Sequence, residues 1–177
     1  MSTISWFDTL SFQKNTTESI ELKVRTVSEG GKSSAPQDDV PHGPDNLVYK
    51  AIEALRQEAG VQQGLSVKLL KRIPAQAGLG GGSSDAATAL VGANELWGLG
   101  YSKQRLAQIA GRLGSDIPFF IYGGFARCTG RGEVIEPLRA YTNLSVVVVK
   151  PPVGLPTAEV FRNCSIPEQP ETGQGLI

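Results

Sequence analysis

The sequence predicts an α+β fold built around a mixed sheet. The chain has 177 residues, of which 40% are hydrophobic and 19% charged, a composition typical of one globular domain with its own core. Strand and helix patterns interleave without the regular strand–helix alternation of a doubly wound parallel sheet. The 21 glycines and 11 prolines exceed the average share of these residues and indicate many turns.

The first half of the chain contains three predicted strands. Residues 19–26 alternate apolar and charged side chains, which is the period of a half-buried strand. Apolar residues between positions 4 and 10 suggest a preceding strand, joined to it by a turn at residues 14–16, so we expect an antiparallel pair. Residues 65–73 alternate in the same way and predict a third strand. Residues 28–44 predict a long exposed loop, in which His42 is interpreted as a solvated residue.

Helical periodicity predicts the remaining large elements. A helix is expected over residues 45–59, ending at Gly60, and others over residues 83–97 and 102–113, the last capped by Ser102. Residues 157–163 predict a short helix.

Later strands are predicted at residues 125–129, 133–136 and 144–150. The last of these is too apolar for an edge strand, so we expect it to be buried. The tail over residues 166–177 has almost no apolar pattern and is expected to fray.

Composition excludes several classes of function. The 17 basic and 17 acidic residues balance, so there is no basic field to attract nucleic acid. Cys128, Cys164 and His42 cannot fill a common zinc site, and the two thiols are expected to be unpaired and buried, as in a reducing cytosol. The longest apolar run, residues 146–149, is far too short to span a membrane. With no readable secretory signal, we expect a cytoplasmic protein.

One motif carries chemistry: PAQAGLGGGSSDAA at residues 74–87, between a predicted strand and a predicted helix. Gly78, Gly80, Gly81 and Gly82 can adopt positive φ angles, which lets backbone amides converge on an anion. The following helix adds its unpaired N–H groups and the positive end of its dipole. The hydroxyls of residues 83 and 84 can donate to phosphate oxygens or help to hold magnesium. The segment therefore predicts a phosphate-binding loop.

Other glycine motifs do not fit this segment. A P-loop needs a lysine after the last glycine, where Ser83 stands, and the same serine breaks a GxGxxG pattern. The GxSxG elbow of serine hydrolases is also absent. A flexible Gly-Ser linker remains the alternative, but linkers are not normally embedded between a strand and an amphipathic helix.

The run AGLGGGSSDAA resembles the phosphate loop of the GHMP kinase superfamily. The segments SWFDTLSF, DNLVYKA, LGSDIPFFIYGG and TAEVF resemble the same family in the same order. The resemblance implies the GHMP kinase N-terminal domain, with the ribosomal protein S5 domain 2-like fold, in which a mixed sheet carries helices on one face. We expect this ATP-binding domain over residues 1–150, and residues 151–177 as the start of a linker to a C-terminal domain.

The resemblance also implies site residues and the cofactors ATP and magnesium. Asp116 corresponds to the catalytic aspartate that faces the acceptor hydroxyl, although from local sequence it is equally a turn residue. Asn46 corresponds to a position near the adenine pocket, or is a helix N-cap, and Thr157 lies near the substrate or caps its helix. Ser84 is the candidate magnesium ligand. The ATP-contacting segment comprises Pro74, Ala75, Gln76, Ala77, Gly78, Leu79, Gly80, Gly81, Gly82, Ser83 and Ser84.

The implied reaction is the ATP-dependent phosphorylation of a hydroxyl on a small cytidine diphosphate sugar alcohol, in non-mevalonate isoprenoid biosynthesis. Two features of the resembling family do not occur here: a first strand with Pro-Ala-Lys-x-Asn, whose lysine partners the aspartate, and a Gly-Tyr-His-Glu segment. We therefore expect the first strand and the C-terminal domain to be missing. Two alternatives stay open. The chain is a non-catalytic nucleotide-binding fragment, or it is another GHMP kinase that acts on homoserine or mevalonate. The oligomeric state is left open.

Overall fold

The computed structural model describes residues 1–27, 40–139, 145–150, 154 and 157–165. Most of the predicted loop over residues 28–44 and the whole predicted tail lie outside these ranges. The described elements are β1 (Thr9–Lys14), β2 (Ile20–Thr26), a 3-10 turn (Gly43–Asp45), α1 (Leu47–Ala59), β3 (Leu65–Lys71), α2 (Gly81–Trp97), α3 (Lys103–Leu113), α4 (Ile117–Tyr122), β4 (Phe125–Thr129), β5 (Val134–Leu138) and α5 (Thr157–Arg162).

The main sheet is mixed, as predicted, with the strand order β1-β3-β2. Strand β1 runs antiparallel to β3, with Thr9 opposite Leu70, and β2 runs parallel to β3, with Ile20 opposite Leu65. The expected direct pairing of the first two strands is wrong, because β3 lies between them. Strand β3 carries the most deeply buried alternating face of the three, and a central position buries that face most completely.

Helices cover one face of this sheet, as the family resemblance implies. Leu65, Val67 and Leu69 of β3 are almost fully buried in one core cluster with residues of α1 and α2, whereas Ser66 and Lys68 point to the opposite, more exposed face. Helix α2 approaches the sheet closely: a Cβ on Gly92 would lie 2.6 Å from the Phe12 ring of β1. The alanines of α2 permit this close packing, since Ala86, Ala87, Ala89 and Ala93 are all buried.

The boundaries of the three long helices agree with the sequence to within two residues, and the difference at α2 affects the glycine-rich motif. Helix α1 begins after Asn46 and ends at Gly60, which adopts the left-handed conformation with φ 65°. Ser102 caps α3 by accepting a hydrogen bond from the Arg105 amide. Helix α2 begins at Gly81, two residues before the predicted start, so two glycines of the motif belong to its first turn.

A second, two-stranded sheet follows α4. Strands β4 and β5 pair antiparallel, with Cys128 opposite Ile135, which confirms the two predicted strands in this region. The first residues of the chain run alongside β4: Ser2 bridges Phe125, and the Thr3 amide donates to Gly124 O at 2.9 Å. The predicted strand near positions 4–10 is therefore confirmed only from Thr9 onward.

The predicted buried strand at residues 144–150 is wrong for its described part. Residues 145–150 form no strand, and the four valines from Val146 to Val149 are 40–91% exposed. An apolar run becomes a strand only when a neighbour supplies backbone hydrogen bonds, and within the described ranges no strand pairs with it.

Smaller expectations have mixed outcomes. The short helix α5 is confirmed, and both thiols are free, but Cys128 is half-buried and Cys164 is exposed, so the expectation of buried thiols is wrong. Among the described residues, no helix is long and apolar enough to cross a membrane. A cytoplasmic location stays a prediction.

Candidate functional site

The glycine-rich motif forms the connection from β3 to α2. Three of its residues take positive φ angles: Gln76 at 52°, Gly78 at 69° and Gly80 at 66°. The expectation of positive φ holds at Gly78 and Gly80. It is wrong at Gly81 and Gly82, since both are helical.

Close packing accounts for the glycines at the start of α2. A Cβ on Gly80 would lie 2.8 Å from the Phe120 ring of α4. A Cβ on Gly81 would lie 2.9 Å from Ile73 Cγ2 and 3.1 Å from Lys71 Nζ. These distances are below ordinary van der Waals contact, so a side chain at either position would require a shift of the helix start or of the contacting side chains.

The N-terminus of α2 has no side-chain cap. Gly80 occupies the N-cap position and therefore offers no capping group. The Ser84 amide donates to Gly80 O at 2.8 Å, whereas the amides of Gly81, Gly82 and Ser83 precede the first intrahelical bond. This end of the helix therefore presents backbone donors and a positive partial charge to an anion.

A cleft of about 470 Å³ opens at this helix end. The whole loop from Pro74 to Ser83 lines it, together with Asn46, Lys71, Asp85 and Asp116. A second cavity of about 340 Å³ lies beside it and shares Gly78, Leu79, Gly80 and Asp116 with the first. The loop thus stands between two cavities, and Asp116 borders both.

Asp116 occupies the N-cap position of α4, but its side chain makes no capping hydrogen bond. The residue is exposed, and a Cβ built on Gly132, in the turn between β4 and β5, would lie 3.4 Å from its Oδ1 atom. The carboxylate is therefore available to a ligand in the cleft. Both the catalytic role and the turn role of Asp116 stay predictions.

Asn46 performs a structural role at the wall of the cleft. Its side-chain oxygen accepts from the Val48 amide at 2.8 Å, and its amide group donates to Pro41 O at 2.7 Å. The N-cap alternative for Asn46 is therefore confirmed. Asn46 also lines the cleft, and its assignment to the adenine pocket stays a prediction. Thr157 begins α5, but its side chain lies outside what the structure describes.

The two serines of the motif differ in their contacts. Ser84 Oγ donates to Gly81 O at 2.8 Å, and Ser84 borders the smaller cavity together with Asp116. Ser83 lines the larger cleft. No group of three potential metal-ligating His, Cys, Asp or Glu side chains occurs within the described ranges. The Ser84 hydroxyl is an oxygen donor of the kind that magnesium accepts beside phosphate and water ligands.

A buried ion cluster lies at the base of the cleft. Lys71, at the end of β3, is only 4% exposed, and its Nζ atom lies 2.5 Å from Asp8 Oδ2 and 2.9 Å from Asp85 Oδ2. The other carboxylate oxygen of Asp8 accepts hydrogen bonds from the backbone amides of Arg72 and Ile73. Asp8, Lys71 and Asp85, called the base cluster below, therefore join the residues before β1, the end of β3 and the start of α2.

Burial dominates the titration of Asp85. Loss of hydration raises the pKa of its carboxyl from 3.8 to about 7, and the nearby Asp8 carboxylate adds to the rise, although Lys71 opposes it. With both carboxylates ionised the base cluster carries one net negative charge, and a proton on Asp85 makes it neutral.

Sequence reasoning did not identify the base cluster. The signal was present in β3, where Lys71 continues the buried face of Leu65, Val67 and Leu69 at the two-residue period. A buried lysine requires an acidic partner. Only the folded chain shows that this partner is provided jointly by Asp8 and Asp85, since these carboxylates are distant in sequence from each other.

Comparison with known proteins identifies the class of domain. Residues 46–124 match the family model described as GHMP kinases N terminal domain, so the chain contains a GHMP kinase N-terminal domain. A solved structure of homoserine kinase from Cytophaga hutchinsonii aligns with a TM-score of 0.61 at 18% identity, covering 96% of this chain and 54% of that one, which supports the fold.

The similarity extends to one particular group of kinases. The 4-diphosphocytidyl-2-C-methyl-D-erythritol kinase of Pelotomaculum thermopropionicum is 50% identical over 142 residues, which is 80% of this chain and 50% of the relative. A crystal structure of 4-(cytidine 5'-diphospho)-2C-methyl-D-erythritol kinase aligns with a TM-score of 0.55 at 35% identity, covering 74% of this chain and 41% of that one. The chain spans about half the length of the curated relatives that it matches.

Proposed function

We propose that the chain binds ATP at the glycine-rich loop and acts in the phosphorylation of a hydroxyl group of 4-diphosphocytidyl-2-C-methyl-D-erythritol. The observation that carries this proposal is the position of Asp116 at the cleft onto which the uncapped N-terminus of α2 opens. A phosphate held by the helix end would then lie beside a carboxylate that is not engaged in capping. The names of the relatives support the choice of acceptor.

Phosphoryl transfer depends chiefly on alignment and on neutralising the charge of the transferred group. The amides of Gly81, Gly82 and Ser83 would donate to phosphate oxygens, and the dipole of α2 would favour their negative charge. Asp116 would orient the acceptor hydroxyl and accept its proton as the new P–O bond forms, while ADP departs from the phosphorus. The amides at the start of α2 would thus bind the phosphate, and Asp116 would orient the acceptor and hold its proton.

Magnesium is expected to accompany the nucleotide. Ser84, which borders the smaller cavity, is the residue that would add an oxygen ligand to an ion held mainly by phosphates and water. When bound, the ion neutralises negative charge on the phosphate oxygens.

Transfer of labelled γ-phosphate from magnesium-ATP to 4-diphosphocytidyl-2-C-methyl-D-erythritol tests the reaction, with homoserine and mevalonate as competing acceptors. The expected result is transfer to the cytidyl compound alone, lost in Asp116→Asn. ATP binding measured in parallel by calorimetry distinguishes the steps. Binding without transfer would favour a non-catalytic nucleotide-binding role, and transfer to homoserine or mevalonate would change the acceptor. Full activity in Asp116→Asn would remove the proton-accepting role of this residue.

A further inference from the structure

The base cluster lies beneath both ends of the glycine-rich loop. At the first end, Asp8 binds the amides of Arg72 and Ile73, which directly follow β3. At the second end, Asp85 lies in the second turn of α2, and its carboxylate pairs with Lys71. Lys71 connects the two ends, because its single ammonium group contacts both carboxylates.

The ammonium group is also close to the phosphate-binding turn. Lys71 Nζ lies 3.1 Å from the position that a Cβ on Gly81 would occupy, and Lys71 and Asp85 both contribute to the lining of the cleft. The position of Lys71 is therefore coupled by direct contact to the turn that supplies the phosphate-binding amides.

We propose that Lys71 is a positioning residue for nucleotide binding, which ties the two ends of the glycine-rich loop through Asp8 and Asp85 and so holds the start of α2 where its amides meet a nucleotide phosphate. The proposal rests on the proposed function for its ligand. A purely structural ion pair would stabilise the fold without changing the affinity of the folded chain for the nucleotide.

One set of variants of the full chain, titrated calorimetrically with ATP at a single fixed pH, tests the positioning role. Lys71→Met leaves two facing buried carboxylates, so Lys71→Met/Asp85→Asn is the variant that retains the fold, with Asp8 still bound by the two amides. We expect its ATP affinity to fall by roughly tenfold or more, as for other residues that orient binding groups. Lys68→Met removes a lysine from the exposed face of the same strand and is the matched control. Wild-type affinity in the folded double variant would overturn the proposal.

Hydrogen exchange without nucleotide separates this proposal from the proposed function. The Ser84 amide, which donates to Gly80 O, should exchange faster in Lys71→Met/Asp85→Asn than in Lys68→Met. If the unsubstituted chain does not bind ATP, the proposed function fails, yet faster exchange would still support the anchoring of the loop. Unchanged exchange would contradict the anchoring itself.

Discussion

The base and the rim of the cleft both present an aspartate, but the two carboxylates have opposite surroundings. At the base, Asp85 is 3% exposed and paired with Lys71. At the rim, Asp116 is exposed and makes no capping bond. A buried, paired carboxylate fixes the elements that it joins, whereas an exposed one can meet a ligand. The difference suggests that the base organises the loop and that the rim performs the chemistry.

The largest expected effect concerns the rim. Asp116→Asn should lower the rate of phosphoryl transfer by about 10²- to 10⁴-fold, the usual contribution of a proton-accepting group. Its midpoint of thermal unfolding and its ATP affinity should stay near those of the unsubstituted chain, because the carboxylate makes no capping bond. Steady-state kinetics and calorimetry measure these quantities. A large loss of thermal stability would show that the rim is also structural.

At the base, a methyl group added to the first turn of α2 should lower the unfolding free energy at position 81 and raise it at position 82. Gly81→Ala would place its Cβ against Ile73 and Lys71, and such overpacking costs about 1–3 kcal/mol of unfolding free energy. Gly82→Ala is the matched control in the same turn, since its Cβ would lie 3.7 Å from Leu47, and it should stabilise by roughly 0.5–1 kcal/mol. Urea denaturation of both variants measures the contrast. Equal stabilities would contradict the packing described for the base.

The pH dependence of stability should depend on the base cluster. Because the folded pKa of Asp85 is raised from 3.8 to about 7, the folded chain holds a proton that the unfolded chain has released. The contribution of this group to the unfolding free energy is therefore fully present below the lower pKa and is lost as pH rises through the higher one. Asp85→Asn should flatten this decline.

Urea denaturation at several pH values measures that decline. Asp116→Asn serves as the rim control, since an exposed carboxylate should leave the profile unchanged. An unaltered decline in Asp85→Asn would assign the pH dependence to other groups.

The smallest expected effect is at Asn46, on the wall of the cleft. Asn46→Ala removes the cap on the Val48 amide and should lower the unfolding free energy by about 1 kcal/mol. Asn46→Asp keeps an oxygen acceptor and should restore most of this loss. If Asn46 also contacts the nucleotide, ATP affinity will fall in both variants, including the one in which stability is recovered.

Much of the fold was predictable because it depends on local patterns. Two-residue alternation predicted strands β2 and β3, and helical periodicity predicted α1 and α3. Gly60 marked the end of α1. The order of the strands was not predictable, since a hairpin and a pair separated by β3 have the same local pattern. The exposed valines from Val146 to Val149 show the same limit, because burial depends on a partner that the run itself does not specify.

The sequence by itself predicted a phosphate-binding loop, since clustered glycines before a helix let backbone amides converge on an anion. It also predicted Asp116 as the acidic residue of the site, a role that awaits the kinetic test. Tertiary structure alone decided that Lys71 is buried between Asp8 and Asp85 and that Gly81 must lack a side chain. Those properties arise from contacts between residues distant in sequence, and only the packing of α2 on the sheet creates them.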